Sequence, residues 1–436
     1  MDPNLFSSAS LDSIPKGEQI KQILASSIAA VDPYHAVTKH LNKYFEKNDL
    51  GKFNRIFVVG AGKAGFPMSR AVNDFFDGQI CKGQVTVKEG HNGGVSSIDN
   101  IRIVEASHPL PDQRGIKSTR EIINILQETT KTDLVICLVS GGGSALLVSP
   151  KPGGSLEDIQ KLTDQLLACG ASIQEINTLR KQLDDVKGGG LAGFASPAEV
   201  ITLILSDVVG DPLDMIASGP TVPNMQSPKE AIAVLEKYNL KPLLPKRVLA
   251  SINTESTPNA DLSRTMISNI LVGNNEMALK AAIKQAINFG FNTRILTNNL
   301  QGEASLIGRE LAEKLIKSKS AHPFMWVAGG ETTVTLTGKG LGGRNQELAL
   351  AAVEILDGSK DLALISLATD GGDGPTNAAG AIATSETYSK AKDLKMDPKS
   401  FLSDNDSYNF FAPLNDLIIP GPTQTNVNDL VFLFGF

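Results

Sequence analysis

The stretch RIFVVGAGKAG, residues 55–65, indicates the fold, because an apolar run passes directly into closely spaced glycines. Its G-x-G-x-x-G pattern is typical of a strand that turns sharply into a helix, where phosphate oxygens can approach backbone N–H groups. Lys63 stands inside this turn and would place an ammonium group where a phosphoryl group arrives. The stretch therefore predicts an α/β domain with a phosphate-binding loop at Gly60, Gly62 and Gly65.

The same pattern is also typical of dinucleotide-binding domains. Glu89, near the end of the next predicted strand, falls close to the offset of about 20 residues expected for a ribose-binding acid. Lys63 favours phosphate transfer over hydride transfer, because a point charge suits the transferred phosphoryl group. A glycine turn that serves only strand–helix packing is the third interpretation.

Further apolar runs alternate with helical stretches on both sides of this turn. Residues 18–47 predict two helices that are separated at Pro33. The runs QVTV, IRIVEA, DLVICLV and VITLIL each end near Gly, Ser or Asp, which predicts a parallel sheet. After a region rich in Pro and Asn, residues 223–261, a second series begins with MISNILV and continues through TRILT, FMWVA, TTVTLT, LALISLA, DLIIP and LVFLF.

Chain length and this second series predict two domains. The chain has 436 residues, and a single core rarely grows beyond about 250 to 300 residues. We expect an N-terminal parallel-sheet domain, residues 1–250, and a C-terminal α/β domain, residues 251–436. The alternation in TTVTLT indicates an antiparallel strand, so the second sheet should be mixed.

Composition excludes several classes of protein. The formal net charge of −6 gives no basic surface for nucleic acid or an anionic membrane. No run approaches the roughly 18 apolar residues of a membrane span. Three widely spaced cysteines without a CxxC motif fit a reducing compartment. We therefore expect a cytoplasmic protein with small-molecule substrates and no nucleic-acid or membrane partner.

A second glycine-rich loop follows the strand DLVICLV. Residues Ser140, Gly141, Gly142, Gly143 and Ser144 could form an anion-binding concavity from backbone amides, flanked by two hydroxyls. The alternative is a merely sharp turn. The G-x-x-x-x-G-K-[ST] motif is absent from the chain, which disfavours a P-loop kinase.

Acidic residues follow other predicted strands. Phosphoryl transfer needs cations, usually Mg²⁺ held by carboxylates, and a group that orients or deprotonates the attacking hydroxyl. Asp207, Asp370 and Asp373 are candidates for these duties. Each could equally cap a turn or helix.

Basic residues occur at three further places. Arg344 begins a predicted helix after several glycines, where it opposes the helix macrodipole, which is easier to explain if it binds an anion. Arg180 and Lys187 either point toward a cleft or form a solvated charged helix face. His108, set between Ser107 and Pro109, is either an acid or base or part of a rigid turn.

Taken in order, these motifs resemble the glycerate 2-kinase family, whose C-terminal half is the MOFRL domain and which was once confused with hydroxypyruvate reductase. The likeness spans nearly the whole chain and rests on VVGAGKAG, SHPLPDQRG, VSGGGSALL, INTLRKQLDDVKGGGLA, LSDVVGDPLDMIASGPTVP, GGETTVTLTGKGLGGRNQELAL, ATDGGDGPTNAAGAI, NDSYNFF and GPTQTNVND.

The resemblance implies a Rossmann-like N-terminal domain and a MOFRL-type C-terminal domain that enclose an active-site cleft. ATP, with Mg²⁺ or another divalent cation, would phosphorylate the 2-hydroxyl of D-glycerate. We expect catalytic roles for Lys63, Arg344, Asp207 and Asp370, substrate contacts at Arg180, Lys187, Glu331 and Asn345, and metal ligands at Asp207 and Asp373. Nucleotide or phosphate contacts are expected at Gly60, Gly62, Gly65, Ser140, Gly141, Gly142, Gly143 and Ser144.

The chain departs from the family's pattern at Gln182, Gly190, Leu341 and Gln424, which removes two cations that relatives often have. Two alternatives to the kinase therefore stay open. One is a hydroxypyruvate reductase that uses NAD(P)H, and the other is a nucleotide-binding regulatory protein without turnover. The oligomeric state also stays open, with a homodimer among the options.

Overall fold

The chain forms two compact units. The structure is a computed structural model that describes residues 1–252 and 265–436. One unit comprises residues 33–272, and the other combines residues 1–32 with residues 273–436. This division differs from the boundary expected after residue 250, because the first 32 residues pack with the C-terminal part of the chain and the strand Ile267–Gly273 joins the sheet of the first unit.

The described residues contain thirteen strands and seventeen α-helices. The strands are β1 Arg55–Ala61, β2 Ile80–Lys88, β3 Ser97–Ile98, β4 Ile101–Ala106, β5 Asp133–Val139, β6 Glu199–Leu205, β7 Ile267–Gly273, β8 Asn292–Leu300, β9 Phe324–Gly330, β10 Leu362–Ala368, β11 Gly380–Thr384, β12 Leu417–Ile418 and β13 Asp429–Gly435. The helices are α1 Ala9–Ser13, α2 Gly17–Ala29, α3 Pro33–Phe45, α4 Gly65–Phe76, α5 Gln113–Gln127, α6 Gly143–Leu146, α7 Leu156–Ala168, α8 Ile173–Leu183, α9 Gly190–Ala195, α10 Pro228–Lys237, α11 Lys246–Ile252, α12 Asn275–Asn288, α13 Ala304–Ile316, α14 Arg344–Leu356, α15 Thr387–Asp393, α16 Pro398–Ser403 and α17 Ser407–Phe411.

The unit of residues 33–272 is built on a seven-stranded sheet of order β3-β4-β2-β1-β5-β6-β7. Strands β4, β2, β1, β5 and β6 pair in parallel, which confirms the predicted parallel sheet. Every residue of β5 is buried, as expected for a central strand that is covered on both faces. Because Ala61 pairs with Val139, the two glycine loops start from neighbouring points of the same sheet edge.

The second unit contains a six-stranded mixed sheet of order β12-β11-β10-β13-β9-β8. Strand β13 runs antiparallel to both β9 and β10, so Asp429 at its start pairs with Gly330 on one side and Ala368 on the other. Helices α13 and α14 pack together and share a core with this sheet. The loops after β9 and β10 therefore start at the same sheet edge as Asp429.

Two expected strands were assigned wrongly. MISNILV, predicted to open the second domain, forms β7 at the edge of the first sheet. TTVTLT makes only a single bridge, between Thr333 and Glu303, instead of a strand. The N–H of Thr335 donates to the Glu303 side chain at 2.9 Å, so a side chain takes the place of a strand partner.

The N-terminal helices belong to two different units. The predicted break at Pro33 is confirmed, because α2 ends at Ala29 and α3 begins at Pro33. Helix α2 packs against α12, and both belong to the unit that combines residues 1–32 with residues 273–436, here called the C-terminal unit. The hydroxyl of Ser10 donates to the buried Asp416 at 2.8 Å, and that of Thr425 donates to the Val31 carbonyl at 2.6 Å.

Candidate active site

The two glycine loops of the first unit are tied to each other. The N–H of Lys63 donates to the Gly141 carbonyl at 2.9 Å, and the N–H of Ala64 donates to Ser140 Oγ at 3.0 Å. A Cβ atom on Gly62 would collide with the Ser140 side chain, which explains why a glycine stands there. The loops therefore form one surface, with Lys63 at their junction.

The loops differ in the backbone donors that they offer. In the first loop, the N–H of Gly62 donates to the Thr86 carbonyl at 3.0 Å, and the N–H of Gly65 donates to the Gly62 carbonyl at 3.0 Å. Because the N–H groups of Lys63 and Ala64 also donate hydrogen bonds, all four N–H groups from Gly62 to Gly65 are occupied by acceptors within the chain. The N–H groups of Gly141 and Gly142, by contrast, donate to no residue in the described part of the chain. Backbone capture of an anion is therefore favoured at the second loop over the first.

A histidine packs beside this second loop. A Cβ atom on Gly142, whose φ is +82°, would lie 2.9 Å from Cδ2 of His108. Burial, together with the positive charges of Lys63, Lys88 and His91, lowers the pKa of His108 to about 4. His108 is therefore neutral at physiological pH in a region that already holds two lysines.

Asp207 also reaches the second glycine loop. Its carboxylate lies so close to Gly141 that a Cβ atom there would collide with it. At the other end of this loop, Ser144 Oγ lies 2.8 Å from Ser218 Oγ, which in turn donates to Asn177 at 3.0 Å. Ser218 has a φ of +61°, a strained value for a residue other than glycine.

The two cations that were predicted near α8 have different surroundings. Lys187 is buried and donates to the Leu147 carbonyl at 2.8 Å and to Asp184 at 3.0 Å, so its ammonium is committed to the core. Burial lowers the pKa of Lys187, and the charge of Asp184 opposes this. Arg180 lines a cavity of about 20 Å³ that Ser144 also lines, and it donates no hydrogen bond to a described residue. Of the two, Arg180 retains donors for a ligand.

Arg344 is held by two carboxylates in the second unit. Its Nε and Nη2 donate to the two oxygens of Asp429 at 2.5 and 3.0 Å, and Nη1 lies 3.0 Å from Glu331. Although burial lowers the pKa of Arg344, the hydrogen bonds and charge of Asp429 raise it overall. Asp429 is buried, whereas Glu331 is exposed. The guanidinium is therefore fixed in orientation at the first residue of α14.

Asp373 occupies the N-terminus of the same helix. Its Oδ1 accepts from the backbone and side-chain nitrogens of Asn345, and its Oδ2 accepts from those of Gln346, at 2.9 to 3.3 Å. An ionised carboxylate has about four acceptor sites, and all four are filled. Burial raises the pKa of Asp373 to about 6, although these N–H groups oppose the shift. A helix cap explains Asp373 better than a metal site, and its role as a metal ligand stays a prediction.

Asn345 and Asp370 are placed differently from each other. Asn345 is buried, and its Oδ1 accepts from Ser366 Oγ at 2.6 Å, which favours a structural role over substrate contact. Asp370 is exposed just beyond β10, and its carboxylate accepts from the Gly372 N–H at 3.2 Å. Asp370 is thus an accessible carboxylate at the sheet edge that carries Arg344.

Residues 1–252 and 265–436 contain neither a cluster of three possible metal ligands nor a helix that could cross a membrane. No three His, Cys, Asp or Glu side chains come together as a metal-ion site there. In the same ranges, no helix has both the length and the apolar composition to cross a membrane.

Comparisons with known proteins identify the family. Residues 19–253 match a model described as a domain of unknown function, DUF4147, and residues 324–429 match the MOFRL family. A D-glycerate 2-kinase of Thermotoga maritima is 43% identical over 420 residues, which cover 94% of this chain and 96% of that protein. The chain belongs to the glycerate 2-kinase family. The predicted family is confirmed.

Two further matches show how the family is described. A crystal structure of a glycerate kinase from Thermotoga maritima has a TM-score of 0.89 and 41% identity, covering 96% of this chain and 99% of that one. A putative hydroxypyruvate reductase of Agrobacterium vitis is 38% identical, covering 94% of this chain and 92% of that protein. The fold of the glycerate 2-kinase family is thus confirmed, and both activity names occur among its members.

Several residues of the site were not predicted. Asp429 and Ser218 lie within the motifs GPTQTNVND and LSDVVGDPLDMIASGPTVP, but no role was predicted for either residue, nor for Lys88 or His91. Asp429 lies at the start of β13, so only knowledge of the antiparallel pairing could have placed it beside Arg344. Lys88 and His91 could have been predicted as site residues. Lys88 ends β2, the strand next to β1, and His91 follows it.

Proposed function

We propose that this protein is an ATP-dependent glycerate 2-kinase, which transfers the γ-phosphoryl group of ATP to the 2-hydroxyl of D-glycerate and releases 2-phosphoglycerate and ADP. Membership of the family supports kinase activity. The observation that carries the proposal is Lys63, which is half-buried where the two glycine loops meet and makes no ion pair with a described residue. A cytoplasmic location is part of the proposal and fits the free thiols of Cys81, Cys137 and Cys169.

The reaction needs charge stabilisation and one proton acceptor. The 2-hydroxyl oxygen of glycerate forms a bond to the γ-phosphorus, the bond from that phosphorus to the β,γ-bridging oxygen breaks, and ADP leaves with the electron pair. The ammonium of Lys63 offsets negative charge on the transferred group, which is the main way in which proteins catalyse phosphoryl transfer. Asp370, which is exposed and lightly hydrogen-bonded, accepts the hydroxyl proton.

Arg344 is suited to hold an oxyanion in a fixed orientation. A guanidinium has five N–H donors, of which two donate to Asp429, while Nη1 lies 3.0 Å from Glu331. The N–H groups that do not donate to Asp429 can bind either the transferred phosphoryl group or the carboxylate of glycerate. Because the first three contacts hold the guanidinium in place, binding costs little further side-chain entropy.

Mg²⁺ or another divalent cation is part of the proposal. Mg²⁺ is commonly held by one or two carboxylates together with substrate phosphates, and Asp207 beside Gly141 fits that pattern. The ion would neutralise phosphate charge during transfer. Asp373 fits less well, since its acceptor sites are filled by α14.

The test is ADP release from ATP and Mg²⁺ with D-glycerate, with the phosphorylated product identified by ³¹P NMR. We expect glycerate-dependent formation of 2-phosphoglycerate, reduced at least about 100-fold in Lys63→Ala and Arg344→Ala. Lys82→Ala and Arg102→Ala are matched controls, because both residues are exposed and form surface ion pairs on β2 and β4. Wild-type protein that releases no ADP with glycerate would refute the proposal.

A reductase is the second candidate, favoured by the G-x-G-x-x-G turn at the end of β1. The engaged N–H groups from Gly62 to Gly65 weaken this candidate, since a dinucleotide-binding turn relies on close backbone approach to the pyrophosphate. Oxidation of NADH by hydroxypyruvate without ATP would establish the reductase. Binding of ATP without turnover of either substrate would establish a regulatory nucleotide-binding protein instead.

A further inference from the structure

Four basic side chains lie in three neighbouring loops at one edge of the first sheet. Lys63 follows β1, Lys88 ends β2, His91 lies in the turn after β2, and His108 follows β4. Strands β1, β2 and β4 are parallel neighbours, so their carboxyl ends share this edge. In open α/β sheets, ligands bind at the carboxyl ends of the strands.

Direct contacts and charge effects show that this group is compact. Nδ1 of His91 lies 3.1 Å from the Lys63 carbonyl oxygen. The His108 ring packs against Gly142 in the second glycine loop. The charges of Lys63, Lys88 and His91 all reach His108. The four side chains and the second glycine loop therefore surround one region.

Among the described residues, the two lysines of this region have no paired acid, although the Asp207 carboxylate lies beside Gly141. Lys63 and Lys88 make no ion pair with any residue in the described ranges, although both are half-buried. Glu89, the neighbour of Lys88, instead pairs with Arg114 at 2.6 Å. Burial of an unpaired ammonium group is costly. A bound anion would remove that cost.

We propose that Lys88, His91 and His108, together with Lys63 and the free N–H groups of Gly141 and Gly142, bind the polyphosphate chain of the nucleotide. The proposal rests on the proposed function only in naming ATP as the nucleotide. It adds three residues that the sequence did not mark as phosphate ligands.

A polyphosphate fits this group better than a single carboxylate does. Two lysines carry two positive charges, whereas glycerate carries one negative charge and is met more naturally by the planar fork of an arginine. Lysine suits phosphate as a point charge. A neutral His108 can donate one N–H to a phosphate oxygen without adding another repelling cation.

The test measures nucleotide affinity by isothermal titration, independently of turnover. ATP, ADP and AMP are titrated, each with Mg²⁺, into wild type, Lys88→Gln, His91→Asn and His108→Asn. These substitutions keep most of the side-chain volume, and circular dichroism checks the fold. Lys82→Gln is the matched control, because Lys82 lies near the other end of β2 and is about half exposed.

We expect each loop variant to bind ATP about 10- to 100-fold more weakly than wild type, the loss expected for a hydrogen bond to a charged group. Binding of AMP should be weakened much less, and Lys82→Gln should bind ATP as wild type does.

ATP affinity that is unchanged in Lys88→Gln and His108→Asn would overturn the proposal, even if the wild type proved to be a kinase. Weakened binding of D-glycerate with unchanged binding of ATP would assign the region to the carboxylate and also overturn it. Weakened ATP binding in a protein that forms no phosphoglycerate would support this site and refute the proposed function.

Discussion

Asp429 holds the Arg344 guanidinium through both of its carboxylate oxygens, with distances of 2.5 Å to Nε and 3.0 Å to Nη2. The two residues are 85 positions apart in the chain and meet because β13 starts where α14 begins. Asp429 is 3% exposed, so water hardly competes for its oxygens. A bidentate pair of this kind fixes direction as well as distance. Asp429 is therefore a positioning residue for Arg344.

Replacement of Asp429 by Asn should lower kcat/KM for ATP-dependent glycerate phosphorylation about 100-fold, because small displacements of a catalytic group have effects of this size. Glu331→Gln should have a smaller effect, since ion pairs of exposed residues contribute little. In an Arg344→Ala background, Asp429→Asn should cause almost no further loss. Fully additive effects in this double-mutant cycle would show that Asp429 acts independently of Arg344.

Asp373→Ala should destabilise the C-terminal unit by at least about 2 kcal/mol, because the helix loses its cap and buried donors lose their acceptor. The midpoint of urea unfolding measures this loss. Asp370→Ala, which removes an exposed carboxylate three residues earlier, should shift the midpoint far less. Asp373→Asn distinguishes a helix-capping role of Asp373 from a metal-binding role. Loss of Mg²⁺ affinity with unchanged stability would favour the metal-binding role.

The His108 ring should titrate with a pKa near 4 in the free protein, well below the ordinary value of about 6.5. Gly142 packs against this ring, and the charges that lower its pKa come from Lys63, Lys88 and His91. A bound polyphosphate would offset those charges, so a non-hydrolysable ATP analogue should raise the pKa. NMR titration of the histidine ring signals, assigned with His108→Asn, measures both values. A free-protein pKa close to 6.5 would contradict the burial of this ring.

Because of Asp185, the free energy of unfolding should fall as pH rises from about 4 to 6. Burial, with the charge of Asp184, raises its pKa to about 6 in the folded protein, so the folded state binds more protons than the unfolded state in this range. Asp185→Asn should remove this dependence. The free energy of unfolding of the variant should rise relative to that of wild type by up to about 3 kcal/mol between pH 4 and pH 7, because each pKa unit corresponds to about 1.4 kcal/mol.

Urea unfolding at several pH values tests the Asp185 prediction. The exposed Asp164→Asn, on α7 of the same unit, serves as the control and should follow the wild-type curve. A constant difference between Asp185→Asn and wild type at all pH values would show that Asp185 is not the titrating group.

Sequence patterns predicted the features that depend on local chemistry. The strand–turn–helix at residues 55–65, the strands of the first parallel sheet and the helix that begins at Arg344 are all confirmed. Glycine loops and periodic apolar runs mark such elements directly. MISNILV was assigned to the wrong sheet because an apolar run does not reveal which strand it will pair with.

Partners that are distant in the chain could not be predicted. Asp373 looked like a metal ligand after a buried strand, and only the structure shows that it faces the N–H groups of α14. Lys187 was predicted as a substrate cation, which stays a prediction, and the structure shows that it donates to Asp184 and to the Leu147 carbonyl in the core. The contacts of Asp373 with α14 and of Lys187 with Leu147 join residues that are 27 to 40 positions apart, which residue spacing does not reveal.

The packing of α2 against α12 has a consequence for the order in which the protein folds on the ribosome. Residues 33–272 can assemble as soon as they emerge, since domains generally fold as units during synthesis. Residues 1–32 emerge before residues 33–272 but must wait for α12, Asp416 and Thr425 before their apolar face is covered. During that interval the nascent chain exposes apolar surface, so slow translation of residues 289–425 would prolong the time in which it can aggregate.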